Sequence, residues 1–309
     1  MTVKISRLRM FAGPNGSGKN TIKLLIIKLI FRLLSYLPLS VLRGLGGVIG
    51  IISVKFSKRS GKRLKANLLA TGICTEENVD KVAQDAAREW GKTIIESVTI
   101  AWQRPATKCM ELALQRSNFE QVLAAIKHGP VLFLTPHIGN FEIGIKATSA
   151  IVTDSVFNIL YKPSKDPVFN AIMLGGRTEA NINPVPTTRH GVVQLLRALK
   201  SGGIAGILPD NVASGGDGVW VDFFGKKVYA TTLTAKFILF PSVTTFFTST
   251  LRVKEGFVID YIPYVPQTTE VALIVQDLYK MLEVMVLETP TQYYWSYDRF
   301  RVPAHAPVI

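Results

Sequence analysis

The chain holds four histidines, His128, His137, His190 and His305, and one of them has neighbours that could do chemistry. In VLFLTPHIGNFEIG, His137 follows a β-type run and precedes a Gly-Asn turn and Glu142. That order predicts His137 just past the C-terminal end of a strand and Glu142 in the first turn of the next helix, where its carboxylate can reach back to the imidazole. A neutral imidazole that donates from one ring nitrogen to a carboxylate has its other nitrogen fixed as a base, which is what activating a hydroxyl nucleophile needs. The same spacing equally admits a histidine that caps a helix and a glutamate that serves the helix dipole. Both readings stay open at this point. Cys74 and Cys109 sit in unrelated contexts with no CxxC or His-rich tract beside them, so neither a disulfide framework nor a zinc site is supported and no metal is expected.

A strand-and-helix scaffold must position these groups. From residue 130 onward β-type runs alternate with helical ones: VLFLT (131–135), VFNIL (156–160), IAGIL (204–208), VTTFFTST (243–250) and FVIDYI (257–262). Between them GVVQLLRALKSGG reads as a helix ending on Gly202. Such alternation predicts an α/β fold with a mixed β-sheet core flanked by helices over 128–309. Upstream, Val79, Val82, Ala86, Trp90, Ile94 and Val98 recur at helical spacing, which makes 66–127 a helical linker.

Charge separates the beginning of the chain from the rest. Of 36 Lys and Arg, 14 fall in residues 1–65, which contain no Asp or Glu, and the remaining 22 balance the 22 acidic residues. The excess is interleaved with Leu and Ile, a pattern unlike a nucleic-acid-binding surface, and residues 21–65 are read as a basic apolar membrane anchor. The longest charge-free stretches, Leu33–Leu42 and Gly44–Val54, are each shorter than the roughly 18–20 residues of a clean transmembrane helix. Either the segment lies in the interface with Lys23, Lys28 and Arg32 snorkelling, or Leu33–Val54 crosses with Arg43 as a costly inclusion; a buried hairpin of a soluble protein is the plainer alternative. The cluster Lys55, Lys58, Arg59, Lys62, Arg63 and Lys65 suits anionic membrane lipids on the cytoplasmic side. No small-residue cleavage site follows the apolar region, which argues against a secretory signal.

Residues 12–21, AGPNGSGKNT, nearly satisfy the phosphate-loop pattern, with Gly13, Gly18 and Lys19 in register. Asn20 stands where a Ser or Thr must hold magnesium, and the following helix runs into the cation-studded apolar segment instead of a βαβ unit. The stretch resembles the start of small toxin-type kinases over about a dozen residues. Residues 1–20 are therefore read as a phosphate-loop-like head explained equally by an upstream fusion or by an early start, with Met10 as a later one.

The arrangement His137-x4-Glu142 resembles the His-x4-Asp/Glu motif of glycerolipid and lipid A acyltransferases. More closely, the chain resembles the lipid A late acyltransferase (lauroyl/myristoyl) family from about Leu33 to Pro303. The matching pieces are LSYLPLSVLRGLG, Ala66-Asn67-Leu68, TPHIGNFE, YKPSKDPVFN, GGRTEAN, GVVQLLRALKSGG, LPDN, GVWVDFFGKKVYATTLTAKF and YYWSYDRFRVP, in family order and spacing. Phe141 stands where Trp is common and Asn211 where Gln is common.

The resemblance implies an O-acyltransferase that moves a fatty acyl chain from an acyl carrier protein thioester to a hydroxyl of an acyl chain on a lipid A precursor. Coenzyme A thioesters are the substitute donor, and no cofactor is needed. It implies His137 as general base with Glu142 as its orienting partner, and Arg177 and Asp210 as further functional positions. Arg177, read as a loop arginine after Gly-Gly, could offer donors to an acceptor phosphate or to the thioester oxygen. Asp210 could pair with Arg177 or lie near the phosphosugar, and Lys162 could contact phosphate. The implied setting is the bacterial inner membrane, with the catalytic domain on the cytoplasmic side. A phospholipid acyltransferase of the lysophosphatidate type is the nearest rival, and FFGKK and YYWSYDRF favour the lipid A branch over it. A membrane-tethered NTP-binding protein is a more distant one.

Overall fold

The computed structural model describes residues 18–115, 119–178, 181–213 and 217–308. The phosphate-loop-like stretch lies outside the described residues up to position 17; from Gly18 the chain is already helical.

The centre of the molecule follows from four-residue apolar runs with no polar alternation. Val131–Leu134 and Ile204–Ile207 are buried at every position, as strands covered on both faces must be. In chain order the elements are α1 (Gly18–Leu34), α2 (Leu39–Phe56), α3 (Lys58–Ala70), α4 (Val79–Glu96), a π-helical turn (Ser97–Ala101), α5 (Ala106–Glu111), β1 (Ala113–Gln115), α6 (Phe119–His128), β2 (Val131–Leu134), α7 (Phe141–Ile151), β3 (Phe157–Tyr161), α8 (Pro167–Arg177), β4 (Ile182–Pro186), α9 (Arg189–Lys200), β5 (Ile204–Ile207), β6 (Gly218–Phe223), β7 (Lys226–Thr231), α10 (Leu233–Ile238), β8 (Thr244–Arg252), β9 (Phe257–Tyr264) and α11 (Val271–Glu288). Seven strands form one mixed sheet in the order β1-β9-β8-β2-β5-β3-β4, antiparallel only between β8 and β9.

Alternation along β2 feeds two cores. Leu132 and Leu134 point into one with α9, α11 and Phe223, whereas Val131 and Phe133 point into the other with Phe157, Phe246 and Tyr261. The expected α/β fold and all five β-type runs are present. Four strands were not foreseen: the short edge β1, which places a strand inside the expected helical linker 66–127; β4, whose INPVP carries two prolines; and β6 and β7, which pair as a hairpin. That hairpin turns on Phe224 (φ 52°) and Gly225 (φ 69°), two positive-φ residues that match the twist of the flanking strands.

The apolar N-terminal segment is built as two helices with different faces. On α2, Gly46 and Gly50 lie against Gly91 of α4 so closely that a Cβ at Gly50 would overlap the Ala87 carbonyl. Arg43 enters the protein: its Nε donates to Glu96 Oε1 at 2.7 Å, Nη1 to the Lys254 carbonyl at 2.9 Å and Nη2 to the Gly256 carbonyl at 2.8 Å. Arg43 is therefore not a cation included in a bilayer, as the crossing alternative required. The opposite face of α2 exposes Val48, Ile49, Ile52 and Phe56, and α1 exposes Ile22, Leu25, Ile26, Leu29 and Leu33. Leu39–Phe56 is apolar and long enough to cross a membrane, with 22% of it buried in the protein. Such a helix fits membrane association, its glycine face docked on the body and its aliphatic face outward.

Candidate active site

Three adjacent parallel strands deliver the site at their C-terminal ends, the position where open α/β sheets bind ligands. After β2 the chain turns through His137, Ile138 and Gly139 into α7. Gly139 is at φ 60°, and a Cβ there would overlap the Thr250 carbonyl, so glycine meets both demands of the turn. Asn140 caps α7, its side-chain oxygen accepting from Ile143 N at 3.2 Å, while its amide donates to Glu96 Oε2 at 3.0 Å. Beyond β5, the Leu208-Pro209 step brings Asp210 level with His137. Beyond β3, Lys162 stands at the strand end and α8 presents Arg177 from its last turn.

Asp210 is the carboxylate partner of the imidazole. His137 Nδ1 and Asp210 Oδ1 are 2.9 Å apart, and the His137 backbone N–H donates to Asp210 Oδ2 at 3.2 Å. The second oxygen also accepts from Arg299 Nη2 at 3.0 Å and from the Tyr293 hydroxyl at 3.3 Å. Burial pushes the Asp210 carboxyl up, but the charges of His137 and Arg299 and the bonds from His137 outweigh it and hold it far below the usual carboxylate range. Against an ionised carboxylate Nδ1 carries the proton, which leaves Nε2 as the basic nitrogen.

Glu142 has other partners. Arg177 Nε donates to its two oxygens at 3.0 and 3.2 Å, Arg177 Nη2 donates to Oε1, and Trp102 Nε1 donates to Oε2 at 3.1 Å. Burial raises the Glu142 carboxyl, and the Arg177 charge, the bonds from Arg177 and Trp102 and the charge of His137 bring it below its ordinary value. The expected Glu142–His137 pairing is thus replaced by two parallel pairs, His137–Asp210 and Arg177–Glu142. The physical reason is direction: a first-turn helix residue on α7 points across to the end of α8, whereas the β5 turn lies beside the β2 turn. Asp210 correspondingly contacts neither Arg177 nor open solvent, and Arg177 ends a helix instead of lying in a loop.

One member of each pair, His137 and Arg177, borders a cavity of about 390 Å³. His137, Lys162, Arg177 and Arg301 contribute its polar wall, and Leu160, Met173, Ile207 and Leu233 are among its apolar lining. The imidazole lies among aromatic rings: Phe141 meets it edge-on at 5.2 Å and Tyr297 is nearly parallel at 6.5 Å. Hence Phe141 supplies a flat apolar neighbour where the resembling family often has Trp. Lys162 is solvent-exposed at the rim. Among the described residues no group of three His, Cys, Asp or Glu side chains gathers to hold a metal.

Sequence reading passed over Trp102, Tyr293, Tyr297, Arg299 and Arg301. The last four had no signal beyond membership in the YYWSYDRFRVP block, and Trp102 only closes the upstream helical run, because contacts 89 residues apart, such as Arg299–Asp210, leave no trace in local spacing.

Chemically, the arrangement can take a proton from a hydroxyl at His137 Nε2 and meet developing oxyanion charge with Arg177. No curated protein matches the chain. The family model for bacterial lipid A biosynthesis acyltransferases matches residues 20–302, and the chain belongs to that family.

Proposed function

We propose that this acyltransferase of lipid A biosynthesis moves a fatty acyl chain from an acyl carrier protein thioester to the hydroxyl of an acyl chain already on the lipid A precursor. The observation that carries the reading is the His137–Asp210 pair at a cavity lined by both cations and aliphatic side chains. A phosphorylated, acylated acceptor offers matching chemistry to both.

In this reading His137 Nε2 removes the proton of the acceptor hydroxyl as its oxygen attacks the thioester carbonyl carbon. Asp210 holds the Nδ1 proton and stabilises the imidazolium. Charge on the carbonyl oxygen is met by Arg177, whose fork Glu142 and Trp102 hold in place. Collapse re-forms the carbonyl, breaks the C–S bond and returns the proton from Nε2 to the carrier thiolate, leaving an ester and a thiol. Transfer is direct within a ternary complex; Cys74 and Cys109 are both buried and play no part. Lys162 and Arg301 are the cations at the cavity wall that would meet acceptor phosphate. A cytoplasmic face of the inner membrane supplies both substrates, and the basic surface of α3 would favour an acidic carrier and anionic lipids.

The test is to purify the chain in detergent, supply a pool of mixed-chain acyl carrier protein thioesters and a tetra-acylated lipid A precursor bearing its inner sugars, and read products by mass spectrometry. The expected product is heavier by one acyl chain and absent with His137→Ala. No gain on this acceptor or on its penta-acylated product, with gain on lysophosphatidate, would sink the lipid A acceptor.

A further inference from the structure

Arg299 is 2% exposed, sits among Tyr293, Tyr297 and Phe223, and makes one ion pair among the described residues, with Asp210. Its guanidinium lies 5.0 Å from the Tyr293 and Tyr297 ring centres, and its buried Nη1 has no acceptor within hydrogen-bond geometry among the described residues. An apolar residue would fill such a pocket at lower desolvation cost, since buried ion pairs are often replaceable by hydrophobic packing without loss of stability. The cation therefore answers a need for charge or direction at its partner.

Asp210 divides its oxygens: Oδ1 meets His137 Nδ1, while Oδ2 takes the His137 backbone N–H, the Tyr293 hydroxyl and Arg299. We propose that Arg299 is a positioning residue for the acyl transfer, fixing the Asp210 carboxylate by its second oxygen and offsetting its charge so that the adjacent imidazole stays neutral and able to accept a proton. The proposal rests on the reading of His137 as the base.

The other charged and titratable groups around the pair come from every neighbouring element. Glu142 on α7 is matched by Arg177 from α8, and Lys162 and Arg301 line the cavity. Tyr279 of α11 packs near Arg299, Tyr294 and Tyr297 flank the imidazole, and Asp298 is paired with Arg63. Removing Arg299 from this set leaves a desolvated carboxylate beside the imidazole with one compensating charge fewer. The His137–Asp210 pair then gains a proton at a higher pH, and the base is lost where the wild type still has it.

The experiment is the pH profile of kcat/KM for acyl transfer by the full chain with Arg299→Met, Arg299→Lys and His137→Ala. Arg299→Met should move the acidic limb up by about one pH unit, so that the loss approaches tenfold on the acidic side of the wild-type limb and vanishes in alkali. Arg299→Lys should keep the limb near its wild-type position. A folded Arg299→Met enzyme whose limb is unmoved, or whose rate falls by one factor at every pH, overturns the proposal; activity surviving in His137→Ala overturns the underlying reading instead. Should Arg299→Met not fold, the double variant with Asp210→Asn decides by thermal unfolding. A Tm above that of Asp210→Asn alone supports the charge-pairing role, and a lower Tm contradicts it.

Discussion

Glu96 and Asp210 are both fully buried and each is gripped by arginine, yet they face different tasks. Glu96 on α4 receives Arg43 from α2, Arg252 from β8 and the amide of Asn140, and its charge, raised in pKa by burial, is brought below its ordinary value by Arg252, Arg43 and Asn140. Every partner there is a permanent cation or an amide, so no proton moves and the node joins three elements beneath the turn that carries His137. Asp210 has one arginine and one imidazole, and the imidazole borders a cavity. The difference teaches that what separates the two buried acid–arginine pairs is the imidazole at Asp210, whose ring borders the cavity as a proton-transfer role would require.

That contrast can be broken most sharply at the imidazole. His137→Ala should lower acyl transfer by about 10²–10⁴-fold with a near-wild-type Tm, because Asp210 keeps Arg299 and Tyr293; a collapse of Tm would make His137 structural. Next, Arg177→Ala should cost about 10²–10³-fold in kcat, and Arg177→Lys should recover little because a lysine cannot reproduce the fork held by Glu142. Full rescue by lysine would reduce Arg177 to a point charge.

At the architectural node the sign reverses, with stability lost before chemistry. Glu96→Gln leaves Arg43 buried without a carboxylate and Arg252 with Glu89 alone, and should cost about 3–5 kcal/mol by denaturant unfolding, whereas a loss under about 1 kcal/mol would show the node to be solvated. Acid should expose both nodes at once. Glu96 and Asp210 have folded pKa values below their unfolded ones, so the stability they contribute is complete above about pH 4 and is lost as pH falls through the lower folded values. Glu96→Gln should flatten the acid limb of a Tm-against-pH curve. Smallest of all, Lys65→Ala removes an exposed pair with Asp80 and should leave Tm essentially unchanged.

Much of the site was legible and its wiring was not. The strand–turn–helix around His137 and the placement of Glu142 in the first turn of α7 could be read because they depend on local order alone. Arg177, Asp210 and Lys162 came from resemblance, and the structure sets Asp210 and Lys162 beyond the ends of neighbouring strands and Arg177 at the end of α8. What spacing could not reveal was that Asp210, 73 residues from His137, holds the ring, since strand order in a sheet is a tertiary fact. The apolar N-terminal helix was visible in composition, but Arg43 was not, because a buried arginine and a snorkelling one look alike until the partner carboxylate is found across 53 residues. The β6–β7 hairpin was passed over for a third reason. Its Phe-Gly turn requires a positive φ at Phe224, which few hairpins ask of an aromatic residue.

The most direct test of the account is the tautomer of His137. With four histidines in the chain, nitrogen-15 histidine labelling of the detergent-solubilised protein gives few enough ring resonances to assign by His137→Ala. The account predicts a neutral ring protonated at Nδ1 in the wild type and in Glu142→Gln, with that preference lost in Asp210→Asn. A ring whose tautomer survives Asp210→Asn and changes in Glu142→Gln would contradict it and return Glu142 to the role of orienting partner.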